Sequence, residues 1–113
     1  MNKKVISALL CGAMVLGAAT PVMAEGAGDG QKIALVGKSA GNAFFEIAAA
    51  SFKETVEAEG GTVEVVYPET ATADAQIKVL DNLISQDFDA ICIAANDVNA
   101  LQAKLTEAMD AGI

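Results

Sequence analysis

Two short polar clusters hold most of the side chains in this sequence that could engage a small molecule. The first is Gly37-Lys38-Ser39-Ala40-Gly41-Asn42, followed closely by Phe44 and Phe45. The second is Ala95-Asn96-Asp97. Lys38 offers a charged donor. Asn42 and Asn96 each offer a donor and an acceptor, and Asp97 can accept two hydroxyl hydrogen bonds. An aromatic face beside such groups suits a polyol, which has hydroxyls at its rim and C–H bonds on its faces. Each residue also has a plainer role open to it. Asn42 and Asp97 are favoured helix N-caps, and capping does not preclude binding. For Lys38 the plainer role is that of a solvated loop lysine. Of the two phenylalanines, helical spacing directs Phe45 to a core and leaves Phe44 for a ligand.

Other chemistries are excluded by what surrounds these clusters. Gly37-Lys38-Ser39 has the ending of a phosphate-binding loop. That motif needs a glycine five residues ahead of its last one, and Lys32 stands there. Gly37 and Gly41 lack the close spacing of a dinucleotide fingerprint. The sequence has no His, so a Ser–His hydrolytic pair cannot form within it and the commonest metal ligand is missing. From Glu25 onward, five Lys and no Arg stand against fifteen Asp and Glu, a net charge of −10. Such a surface repels phosphate backbones, so nucleic acid is not an expected partner. The expectation is a non-enzymatic binding role without a cofactor.

The elements that must position the clusters follow from periodicity. Lys32 to Val36 reads as a buried strand. Asn42 caps a helix running to about Glu59, with Phe45, Ala48, Phe52 and Val56 facing the core, and Gly60-Gly61 stops it. Thr62 to Tyr67 is a second strand. Thr72 caps a second helix to about Gln86, with Ile77, Leu80 and Ile84 inward. Ala90 to Ala94 is a third strand. Asp97 caps a last helix to about Asp110, with Val98, Leu101, Leu105 and Ala108 on one face and Gly112 as its stop. The order βαβαβα predicts a three-layer, Rossmann-like α/β unit with a parallel sheet in the order 2-1-3. Ligands of open parallel sheets sit beyond the carboxyl ends of the strands, at the switch point. In this order the loops after the first and third strands flank one crevice, which brings the two polar clusters together. Three strands bury little apolar area, so residues 32–113 are expected to be an incomplete first lobe of a larger fold.

The N-terminus reads as a secretory signal over residues 1–24. Lys3 and Lys4 precede an apolar run from Val5 to Ala19, Pro21 ends it, and Val22-Met23-Ala24 supplies small residues for cleavage after Ala24. The run is short for a membrane anchor. Leu10, not a small residue, precedes Cys11, which argues against a lipid-modified start there. Residues 25–31 are Gly-rich and read as a flexible leader. The processed chain then holds one cysteine, Cys92, which cannot form an internal disulfide and reads as a small core residue.

With these elements placed, the sequence resembles the periplasmic sugar-binding proteins of the ribose-binding type, in particular the rhamnose- and autoinducer-2-binding branch. The resemblance rests on Lys32-Ile33-Ala34-Leu35-Val36-Gly37-Lys38 and on Gly41-Asn42-Ala43-Phe44-Phe45. It continues through Ala75-Gln76-Ile77, the run from Leu83 to Ile91, Ala95-Asn96-Asp97, and Ala108 to Ile113. It implies a two-lobed protein that closes on one sugar and hands it to the permease and ATPase of an ABC transporter. It also implies an exported protein, in the periplasm or on the outer side of the cell envelope. Lys38 matches a lysine that contacts ligand in the autoinducer-2 branch. Phe44 and Phe45 match an aromatic pair, and Asn96 and Asp97 match polar residues after the third strand. Two further readings share the fold: the sensor core of a sugar-responsive transcription regulator, and a piece with no function of its own. A regulator would carry a basic DNA-binding headpiece where this sequence has its signal.

Overall fold

The computed structural model describes residue 26 and residues 28–113. The expected signal peptide and Cys11 lie outside the described residues. The elements follow the order β1 (Lys32–Val36), α1 (Ala43–Ala58), β2 (Thr62–Val66), α2 (Ala73–Ile84), β3 (Ala90–Ile93) and α3 (Val98–Asp110). The strands form one parallel sheet in the order β2-β1-β3. This is the α/β arrangement that alternation of short apolar runs with helical periods requires, because parallel neighbours need a crossover.

The ends of the helices are set by local chemistry. Asn42 Oδ1 accepts from the Phe44 amide at 3.0 Å and opens α1. Thr72 Oγ1 accepts from the Ala75 amide at 3.3 Å and opens α2. At the far end of α1, Gly60 adopts φ 88°, a left-handed conformation that costs glycine little. Its amide bonds Glu57 O at 3.1 Å and the next amide, Gly61, bonds Val56 O at 3.0 Å. This six-to-one closure satisfies carbonyls that the last turn leaves open. Gly112 closes α3 in the same way.

Register divides the side chains between two faces. Ala34 pairs with Ile91 and Val36 with Ile93, on one face. There Ala34, Val36, Leu83 and Phe88 form the buried core under α2, and α3 packs on α2. Lys104 of α3 bridges Asp81 of α2 and its own neighbour Glu107, both at 2.6 Å, and these partners raise its pKa above the usual lysine value. On the other face, Leu35 pairs with Cys92 and Val65, and α1 packs over β2. The share of this face that belongs to β3 is thinly covered. A cleft of about 340 Å³ remains there, between the sheet and the Phe45–Phe52 face of α1. Cys92 lines it and is half-buried, rather than fully buried as its apolar setting suggested.

Several inward stripes differ by one residue from those read in the sequence. Ala49, not Ala48, is buried on α1, with Phe45, Phe52 and Val56 half-buried beside it. On α2 the buried residues are Gln76, Leu80 and Leu83, while Ile77 and Ile84 are only half-buried. α2 lies between the sheet and α3, so its contact face is wider and turned from the one that Ile77 and Ile84 define. Val98 is 69% exposed. It is the first residue of α3, and a stripe read from periodicity assumes a partner that the helix end lacks. Leu101 and Ala108 are buried as expected.

Residues 28–31 of the Gly-rich segment are tied to the fold. The Gly30 amide donates to Gly60 O at 3.2 Å, and the Thr62 amide to Gln31 O at 2.8 Å. Residues 28–31 thus belong to the turn between α1 and β2. At the start of the sheet, Asp87 (φ 50°) delivers Phe88 to the core. Lys32 locks this corner: its amide donates to Asp89 Oδ2 at 2.7 Å, and its ammonium lies 4.1 Å from the Phe88 ring centroid.

Candidate functional site

The two polar clusters meet at the carboxyl ends of β1 and β3. The last ladder bond between these strands runs from the Ala94 amide to Val36 O at 2.9 Å. Beyond it the chains diverge into the loops that carry Lys38 and Asn96. Asn96 Nδ2 reaches across and donates to the Lys38 carbonyl at 3.0 Å. This bond joins the clusters that lie 58 residues apart in sequence.

Lys38 is exposed, and its ammonium has no partner among the described residues. Asp97 caps α3, accepting from the Asn99 and Ala100 amides at 2.9 and 3.0 Å through one carboxylate oxygen, Oδ1. The capping role anticipated for Asn42 and Asp97 is therefore present in both. It fixes each side chain at the head of its helix, Asn42 at α1 and Asp97 at α3, next to the loops after β1 and β3. Phe44 is 72% exposed at the head of α1, and Phe45 turns inward. Their rings meet edge to face, 5.3 Å between centroids. The division of labour read from helical spacing, Phe45 in and Phe44 out, is the one observed. None of the polar residues lines the apolar cleft under α1. Among the described residues, no group of three or more His, Cys, Asp or Glu is placed to hold a metal ion.

Two residues that the sequence analysis gave no part in the site, Gln76 and Tyr67, shape this end of the sheet. Gln76 is fully buried and bonds both strand ends. Its signal was present: Gln76, Leu80 and Leu83 are spaced as one helical face, and a polar residue in such a stripe needs partners. Tyr67 donates its hydroxyl to Phe45 O at 3.4 Å and lays its ring over Gly37. A methyl group on Gly37 would come within 2.5 Å of that ring. Gly37→Ala is therefore expected to push Tyr67 off Phe45 and cost about 1–3 kcal/mol, the usual range for overpacking. A thermal unfolding series on Gly37→Ala, Tyr67→Phe and the double variant checks this. The Gly37 penalty should persist in Tyr67→Phe, whose ring is unchanged, and its absence would contradict the clash.

Residues 33–113 match the periplasmic binding protein domain family. This chain belongs to that family. Among solved structures, it is similar to an ABC transporter solute-binding protein from Clostridium phytofermentas with bound L-rhamnose. The identity is 43% and the TM-score 0.72, over 74% of this chain and 26% of that one. It is also similar to LsrB from Clostridium saccharobutylicum in complex with AI-2, at 30% identity and TM-score 0.67, over 73% and 25% of the two chains. A solute-binding protein from Burkholderia graminis in complex with D-arabinose shares the fold, at 22% identity and TM-score 0.68, over 76% and 29%. This chain thus spans about a quarter of the length of the structures it matches. No match was found among curated proteins. The resemblance to sugar-binding proteins, including rhamnose- and autoinducer-2-binding ones, is borne out, as are the α/β class and the strand order.

Proposed function

We propose that this chain forms the front part of the first lobe of an exported solute-binding protein that delivers a small sugar to an ABC transporter. The observation that supports this reading is the Asn96–Lys38 bond, which joins the loops after β1 and β3 in a chain of this family. Lys38, Asn42, Phe44, Phe45, Asn96 and Asp97 supply one jaw, and a second lobe closes on it. Phe44 offers its exposed ring to the apolar face of a sugar. The Lys38 ammonium and the remaining acceptor capacity of Asp97 exchange water for hydroxyls on closure. The role is binding, not catalysis. The permease and ATPase of the transporter are the partners, and the membrane is met only through them.

Two experiments test this. Titration calorimetry of the longer protein that carries this segment, against L-rhamnose, autoinducer-2, D-ribose and D-arabinose, should show saturable binding to at least one. Absence of binding across that panel would remove the sugar assignment. Mass spectrometry of exported material should show a chain starting at Glu25, as Lys3-Lys4, the apolar run and Val22-Met23-Ala24 require. A lipid-modified species starting at Cys11 would contradict it.

A further inference from the structure

We propose that Gln76 is a positioning residue that sets the width of the ligand crevice, an inference that rests on the function proposed above. Gln76 is 0% exposed, in the middle of an apolar stripe. Its Nε2 donates to Gly37 O at 3.1 Å and to Ala94 O at 2.8 Å, and its Oε1 accepts from the Asn96 amide at 2.8 Å. All three backbone groups lie just past the final ladder bond between β1 and β3. At that level the two chains no longer bond each other in the sheet, and the Gln76 amide stands in as the missing rung. One plane of three hydrogen bonds fixes how far the Lys38 loop stands from the Asn96-Asp97 loop. Asn96 then passes this spacing on by its own bond to Lys38 O. Gln76 itself is sealed from ligand, so its influence runs through the loops that it holds.

The chemistry of the amide is specific. Leucine fills the same space and bonds none of the three groups. An ionised glutamate has no donor and sets its charge against two carbonyl oxygens. A protonated glutamate recovers one donor and keeps an acceptor. Burial and the facing carbonyls raise the pKa of such a carboxyl. A variant carrying it therefore regains the crevice geometry as pH falls.

The test uses the longer protein and three variants: Gln76→Leu, Gln76→Glu and Leu80→Ala. Leu80 is buried one turn along the same helix and touches neither loop by hydrogen bond, so it controls for lost packing. Gln76→Leu is expected to weaken binding of the best polyol about tenfold or more, since a crevice in its competent form a tenth of the time raises the apparent Kd by that factor. Gln76→Glu should bind poorly at alkaline pH, where the carboxyl is ionised, and recover as pH falls through its raised pKa, while the unsubstituted protein shows no such recovery. Leu80→Ala should lower the melting midpoint and keep its Kd. If Gln76→Leu melts lower but binds as tightly as the parent, Gln76 is structural only and the inference fails. Should Gln76→Leu not fold, an affinity of Gln76→Glu that tracks the parent across pH overturns it equally. Hydrogen exchange separates this failure from that of the proposed function. If the parent binds no polyol, the function is wrong, yet Gln76→Leu must still speed exchange of the Asn96 amide. Unchanged exchange there sinks the clamp.

Discussion

Replacing Leu101 with alanine is expected to cost about 2–5 kcal/mol of unfolding free energy, the range for truncating a buried leucine that leaves a cavity. Leu101 is fully buried, where α3 packs on α2. The ion pairs from Lys104 to Asp81 and Glu107 lie on the exposed side of that contact and contribute little by comparison. Val98, one turn earlier, gives the contrast. It is largely exposed, so Val98→Ala should change stability by less than about 0.5 kcal/mol. Urea unfolding of both variants, compared at the midpoint with unchanged slope, reads the difference directly. Equal losses would mean that the first turn of α3 is packed in solution.

Lys38→Ala should weaken sugar binding by roughly ten- to a hundredfold. A hydrogen bond to a charged group in a dry, closed cleft contributes about 1.5–3 kcal/mol, which converts to that range. The same substitution should leave the melting midpoint nearly unchanged. Lys38 is exposed, its ammonium bonds nothing in the described chain, and its backbone carbonyl still accepts from Asn96. Calorimetric titration with the best polyol decides it. A variant that binds as tightly as the parent would move the site away from this loop.

The order of elements was legible because it depends on local signals. Val36 before Gly37, Asn42 before Ala43 and Gly60-Gly61 after α1 each act within a few residues, and the structure places the boundaries there. The meeting of the two polar clusters was legible for a different reason: a parallel sheet in the order 2-1-3 allows the loops after β1 and β3 no other place. What the sequence hid is whatever depends on how far a helix turns on its neighbours. Gln76 with Leu83 replaces Ile77 with Ile84 because α2 packs between the sheet and α3, while Ala48 faces the sheet as expected but lines the open cleft and so stays exposed. The corner at Lys32, Phe88 and Asp89 joins residues more than fifty positions apart, and no local pattern announces such a pairing. Gln76 is missed when the inward stripe is drawn through Ile77 and Ile84, because only the face shared with Leu80 and Leu83 puts the glutamine among its three backbone partners.

The ring over Gly37 has an optical consequence. The sequence contains one Tyr and no Trp. Tyr67 is thus the only strong near-ultraviolet chromophore in this stretch, and it stands where the Lys38 loop leaves β1, its hydroxyl on the Phe45 carbonyl. Tyrosine emission and the tyrosine band of the near-ultraviolet dichroism from these residues therefore come from a single spot, beside Gly37 at the edge of the apolar cleft. A loop that shifts, or a helix head that tilts, changes the surroundings of that one ring, so the segment carries its own reporter without an added label.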